Sequence, residues 1–354
     1  MQKPSIQIFL QTKSIITYLI LIALLLSAII LGVSIGTVNI PLRDILIIFK
    51  GFLFNINIPE EISMHENIIM KIRLPRVIIA GLVGASLSLV GAAFQGLLRN
   101  PLADPFTLGI SSGASVGAVM TIFFGISIPI LNIYTLPLAS ILASFITLII
   151  VLTFARKIDK AMRVETIILT GIVFSSFLSA LISLMITLTG EELRQIIGWL
   201  LGSVAMRGWE HVLIILPFFI LGSLVLLFNA RELNAFSFGE EQAKHIGVNV
   251  ERQKMIILIA GSMLTGAAVS VSGVIGFVGL VIPHFIRLLF GPEHRSLLPK
   301  SMIIGAVFLI AADLVSRIII QPQELPIGVI TSLIGAPIFA LILIRQNIKG
   351  VRSS

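Results

Sequence analysis

Five histidines, one acid in an apolar stretch and a few arginines are the side chains with chemistry to offer, and their spacing does not make an enzyme. His65, His211, His245, His284 and His294 are scattered along the 354 residues, and no two have His-Glu-x-x-His spacing. There is no Cys, which removes disulfides, thiolate metal sites and a cysteine nucleophile. No metal and no cofactor are expected. No Gly-x4-Gly-Lys-[Ser/Thr] phosphate loop occurs either, so the chain lacks the usual means of binding ATP. Asp313 is the one acid well inside an apolar run. Such residues are costly in a bilayer and default to function, but Arg317 lies four residues on, and a local ion pair on one helical face explains the acid structurally.

A second constellation is local. Ser237-Phe238-Gly239-Glu240 has capping-box spacing, with Ser237 as N-cap and Glu240 at the third helical position. Glu240 and Glu241 then sit in a first turn and Lys244 and His245 in a last turn, as the helix dipole prefers. Gly247 stops that helix in a left-handed conformation, and Asn249 caps the next one.

The elements that must position these residues are membrane helices. Hydrophobic residues make up 56% of the chain and charged residues 12%; soluble domains average about 25% charged. So few charges cannot cover a water-facing surface. A helix needs roughly 20 mostly apolar residues to cross the hydrocarbon. Ten runs qualify, near 14–35, 76–97, 106–126, 136–155, 165–188, 209–229, 254–272, 275–291, 299–320 and 326–345. The first has no clear small-residue cleavage site and is read as a helix rather than a signal peptide. Segment 41–54, apolar with Arg43, Asp44 and Lys50, suits the outer interface. The expected fold is a single all-α integral membrane domain over 1–354.

Charge bias sets direction. With two separate spans in 254–291 and the N-terminus inside, 17 of the 25 Lys and Arg face the cytoplasm. Merging those spans moves six of them outward, so the positive-inside rule favours ten spans with both termini cytoplasmic. The net charge of +8 then reads as a topology signal with anionic lipid as counterpart, and no nucleic-acid partner is needed.

Gly84-Ala85-x-x-Ser88-x-x-Gly91 with Phe94-x-Gly96-Leu97 recurs as Gly266-Ala267-x-x-Ser270-x-x-Gly273 with Phe277-x-Gly279-Leu280. These copies fall in spans two and seven, an inverted repeat of the kind transporters use. Small residues also recur every fourth position, at Gly84, Ser88, Ala92 and Gly96 and at Gly109, Gly113 and Gly117, as ridges for close helix packing.

A series of motifs gives the chain a family likeness. Arg73-Leu74-Pro75-Arg76 enters span two, and Arg99-Asn100-Pro101-Leu102-Ala103-Asp104-Pro105 follows it, leading into Leu108-Gly109-Ile110-Ser111-Ser112-Gly113-Ala114. Gly279-Leu280-Val281-Ile282-Pro283-His284, His294-Arg295-x-x-Leu298-Pro299, Glu324-Leu325-Pro326-Ile327-Gly328 and Gly335-Ala336-Pro337 come later. In this order, from about residue 70 to 345, they resemble the FecCD-type permeases of ABC importers for iron-siderophores, haem and cobalamin.

That resemblance implies ten helices per subunit, a second permease subunit (identical or not), two cytoplasmic ATPases and an extracytoplasmic substrate-binding protein, all at a prokaryotic cytoplasmic membrane. It makes the inner segment 230–253 the coupling helix that touches the ATPase, with Gly239, Glu240, Glu241, Ala243 and Gly247 in the docking surface. It places Arg73, Arg76 and Arg317 where relatives bind acidic residues of the binding protein; interface anchoring of Arg73 and Arg76 is the plainer alternative. It runs the transport path between two subunits past helices matching spans five and ten, where Thr170, Ser175, Ser176, Ser179 and Ser183 are mildly polar. Iron(III)-siderophore is the expected cargo, with cobalamin or haem as alternatives. An ion-coupled secondary transporter would share the repeat but needs dedicated intramembrane carboxylates.

Overall fold

The computed structural model describes residues 4–351, and among these there is no strand. Lys3 and Arg352, two of the cations in the charge argument, lie outside them, as do the side chains of Lys13, Arg345 and Lys349. In chain order the helices are α1 (Pro4–Ser34), α2 (Leu42–Phe54), α3 (Ser63–Asn67), α4 (Leu74–Leu97), α5 (Ile110–Phe123), α6 (Thr135–Ile158), α7 (Val164–Leu188), α8 (Leu193–Leu200), α9 (Trp209–Phe228), α10 (Ala230–Phe236), α11 (Glu240–His245), α12 (Val250–Ser272), α13 (Val278–Phe290), α14 (His294–Ile318) and α15 (Ile327–Val351).

Each of the ten apolar runs contains a helix of its own. Among the described residues, seven helical stretches are long and apolar enough to cross a membrane: Ile15–Ser34, Glu60–Leu97, Asn132–Ile158, Val164–Leu188, Trp209–Phe228, Val250–Ser272 and His294–Ile318. α5, α13 and Ile327–Leu341 of α15 are shorter. At about 1.5 Å per residue, α5 rises only about 21 Å, against roughly 30 Å of hydrocarbon. Region 254–291 is divided, with α12 stopping at Gly273 (φ 68°) and α13 starting after Phe277 (φ 67°).

The core is built on α4, which is buried along most of its length and packs against α14, α12, α13 and α9. Two glycines allow this. A Cβ on Gly84 would overlap the Gly305 carbonyl of α14, and one on Gly91 would overlap the Gly279 carbonyl of α13. The ridge of small residues on α4 is therefore used for backbone-to-backbone packing. On α5, Gly113 makes room for the Thr147 side chain and Gly117 for the Ala139 carbonyl of α6, whereas Gly109 stands just outside α5 as its N-cap, at φ 79°.

The sequence repeat does not carry through as equal local structure. Its first copy lies wholly in α4, while its second runs off α12 at Gly273 and resumes at Phe277, the N-cap of α13. What recurs is an order of elements: a long buried helix, a non-helical run, then a short apolar helix, once as α4–α5 and again as α12–α13. Segment 41–54 forms α2, in which Ile45, Ile48 and Gly51 are buried while Phe52, Leu53 and Phe54 are exposed.

Candidate functional site

The segment between α9 and α12 forms two short helices at one end of the bundle. α10 follows α9 directly, and the chain then turns at Gly239, whose φ of 112° only glycine adopts without strain. This turn overrides the expected capping box. Ser237 is the C-cap of α10 and donates its hydroxyl to the Leu233 carbonyl, so Gly239 takes the N-cap position and Glu240 becomes the first residue of α11. At the far end the expectation holds. Gly247 (φ 91°) follows α11, with Val248 N–H donating to the Ala243 carbonyl at 3.0 Å, and Asn249 Oδ1 caps α12 by accepting from Arg252 N–H at 3.1 Å.

Side chains fix this element to three others. Glu240 accepts from Lys254 Nζ of α12 at 2.7 Å, and the same ammonium donates to the Met162 carbonyl in the α6–α7 turn at 2.9 Å. Asn234 of α10 accepts from His294 N–H at 2.8 Å and donates to Glu293 at 3.1 Å. Glu293 is itself the N-cap of α14, accepting from Arg295 and Ser296 N–H at 3.1 Å each. His294 packs its ring against Gly96 of α4 and turns Nδ1 to Asn234 Oδ1, 2.8 Å away. α10–α11 is thus keyed to the ends of α12, α14 and α4.

Of the five residues expected on a docking surface, Glu241 and Gly247 are exposed, Glu240 is half-buried, and Gly239 and Ala243 are buried within the element. A helix of six residues has one outward face, so residues close in sequence divide between surface and interior. Two residues the sequence reading passed over stand out instead. Phe238 is 74% and Ile246 69% exposed, flanking α11 on either side. Their signal was an apolar residue next to each stop glycine in an otherwise polar segment.

Near the end of α1 lies a cluster of charges. Asp313 of α14 is fully buried and holds two arginines, Arg76 of α4 at 2.8 Å and Arg317 at 3.1 Å. Arg76 also forks onto both carboxylate oxygens of Glu324, at 3.0 and 2.9 Å. The expected Asp313–Arg317 pair is present, with Arg76 as its third member. Arg73 donates to the carbonyls of Val33 and Ser34 at 2.8 Å each, and to that of Val38. Arg317 donates to the Gly32 carbonyl at 3.0 Å. These carbonyls belong to the last turn of α1 and the chain just beyond it, where cations stabilise a helix end. All three arginines are buried, and each donates to acceptors within the chain. Only the Glu324 side chain of this cluster is substantially exposed, at 39%. A cleft of about 180 Å³ opens over Arg73, Arg76, Arg317 and Glu324.

The other histidines are apart from one another: His65 meets Asp44 at 2.8 Å, His211 meets Arg207 at 3.1 Å, His284 is buried with its ring edge-on to Phe339, and His245 is exposed at the end of α11. On α7, the hydroxyls of Thr170, Ser176 and Ser183 donate to carbonyls four residues back, while Ser175 donates to Phe106 O. Ser176, Ser179 and Ser183 form an exposed stripe on that helix.

A scan against family models matches residues 22–345 to the FecCD transport family. The chain belongs to the FecCD transport family. It is an ABC transporter permease, 56% identical over 353 residues to the uncharacterised ABC transporter permease protein YvrB of Bacillus subtilis, covering 100% of both chains. It is 41% identical over 294 residues to the cobalamin import system permease protein BtuC of Halobacterium salinarum, covering 83% of this chain and 77% of that one. Among solved structures, a transporter assigned to the metal-chelate ABC type, in an inward-facing conformation, superimposes with a TM-score of 0.79 at 35% identity, over 92% of this FecCD permease and 97% of that chain. The α10–α11 element and the Asp313 cluster are therefore parts of a multi-pass membrane permease.

Proposed function

We propose that this FecCD permease is the membrane subunit of an ATP-driven importer that carries an iron(III)-siderophore across a prokaryotic cytoplasmic membrane. Cobalamin or haem in the same machinery is the second reading, favoured by the cobalamin-importing relative. In this proposal ten helices cross the bilayer, α1, α4, α5, α6, α7, α9, α12, α13, α14 and α15, with both termini inside. A second permease subunit lies alongside, two ATPase chains dock from the cytoplasm, and a binding protein delivers cargo from outside.

The observation that carries it is the α10–α11 element. Phe238 and Ile246 are exposed at the two ends of α11, in an element that Glu240 and Asn234 lock to α12 and α14. Exposed apolar residues on a rigid mount suit a protein partner better than water, and the chain has no phosphate loop of its own. A partner that pushes this element moves the starts of α12 and α14 with it. Gly239 and Gly247 set its two turns, Ala243 seats it, Glu240 ties it to Lys254, and Glu241 faces the ATPase.

The Asp313 cluster supports ATP over ion coupling. Its carboxylate is shared by two arginines and is poorly placed to load and release a proton or cation. Binding-protein docking at Arg73, Arg76 and Arg317 takes a modified form in this proposal: an incoming carboxylate replaces the exposed Glu324 on Arg76, while Arg73 and Arg317 hold α1 in place. The serine stripe of α7 faces out of the protomer, as a wall shared with a second subunit would.

Uptake into membrane vesicles tests the reading. It should require ATP and the separate ATPase and binding protein, and should survive collapse of ion gradients. Uptake that runs on a proton gradient without ATP would overturn it.

A further inference from the structure

A second polar cleft lies away from both features described above. It has a volume of about 410 Å³ and is walled by the end of α5, the start of α6, α8 and the start of α9, with Gln195, Arg207 and His211 among its side chains. Arg207 Nη1 lies 3.1 Å from His211 Nε2. A guanidinium can only donate, so Nε2 is the acceptor and the neutral imidazole carries its proton on Nδ1. His211 is 3% exposed. Its Nδ1 and Arg207 Nε are both buried, and among the described residues neither has a hydrogen-bond partner.

Two N–H donors are therefore left over on adjacent side chains that line one cleft. Buried polar groups are paired in the great majority of cases, so each exception needs an explanation. Charge points the same way. Among the described residues no carboxylate forms an ion pair with Arg207, and burial pulls its pKa below the ordinary arginine value. Glu210, three residues on, is exposed and does not line the cleft. The Asp313 cluster is the contrast, since there Arg76 and Arg317 pair with a carboxylate and Arg73 donates to backbone carbonyls.

We propose that this cleft is a binding site for a small carboxylate solute, held by Arg207 and His211. A carboxylate accepts from a guanidinium and an imidazole N–H together, and its charge balances the arginine. The cleft has room for a molecule of several carbons. Its placement on the outer side of the membrane rests on the topology proposed above; its binding chemistry does not.

Equilibrium dialysis of the full-length permease in detergent against radiolabelled succinate at pH 7 and fixed salt tests this. Saturable binding is expected. Neutral succinamide should compete at least tenfold more weakly, a comparison that needs no variant. Arg207→Gln should weaken succinate at least tenfold, while Glu210→Gln should change it less than twofold. Absence of saturable binding, equal competition by succinamide, or a folded Arg207→Gln protein that binds succinate as the native chain does would each overturn the proposal. The last result, combined with weaker capture of a binding protein, would assign the arginine to a protein carboxylate instead.

Discussion

Asn234 on α10 grips His294, the first residue of α14, through the backbone N–H at 2.8 Å and the ring Nδ1 at 2.8 Å. Sixty residues separate them in sequence. The contact joins the element proposed to receive force from the ATPase to a helix that packs along the length of α4 and holds Asp313 further along.

Breaking that joint should uncouple the machine without dismantling it. Asn234→Ala removes an acceptor for His294 and a donor to Glu293 and leaves Phe238 and Ile246 in place. ATPase subunits should still co-purify, and their hydrolysis should continue, while transport per ATP falls at least fivefold. Assay of both rates in proteoliposomes checks this. Equal coupling in variant and native complexes would remove the joint from the mechanism.

Asp313 should matter for stability more than any other acid. Its replacement by Asn leaves Arg76 and Arg317 buried around a neutral group, and breaking a buried ion pair in this way costs about 3–5 kcal/mol. Glu324→Gln, at the exposed end of the cluster, should cost about 1 kcal/mol or less. Denaturation of the detergent-solubilised protein compares the two. Similar losses would contradict the ranking.

A pH effect is expected from Asp104, in the run between α4 and α5. Burial raises its pKa from 3.8 to about 6, against the pull of hydrogen bonds from Phe106 and Thr107 N–H. Between these values the folded chain holds a proton that the unfolded chain has released, so stability falls as pH rises through that window. The loss at pH 7 is up to about 3 kcal/mol. Asp104→Asn keeps an acceptor for both N–H groups and carries no charge. It should melt higher than the native chain at pH 7 and match it near pH 4. A lower melting point at pH 7 would mean that the ionised carboxylate is what the turn requires.

Much of this was legible in the sequence because membrane helices are written in runs of like residues. The ten apolar stretches, the break between α12 and α13, the packing role of Gly84 and the Asp313–Arg317 pair all follow from spacing along one helix or from run length. Contacts between distant segments were not legible. Nothing local says that Arg76 reaches Glu324 or that Arg73 binds the carbonyls at the end of α1, and so arginines that the family likeness sets on a docking surface turn out to be engaged inside the chain. The capping box failed for a different reason. Ser237 had a choice of partners, and the glycine at 239 let α10 end late and α11 begin late, giving Ser237 to the earlier helix.

The central claim is that α10–α11 lies on the cytoplasmic side and receives the ATPase. The chain has no native cysteine, so single cysteines at Phe238 and Ile246 can be read without background. A membrane-impermeant maleimide should leave both unlabelled in intact cells and modify both in inside-out vesicles, with modification blocked when the ATPase subunits are bound. Labelling from outside intact cells would contradict the account.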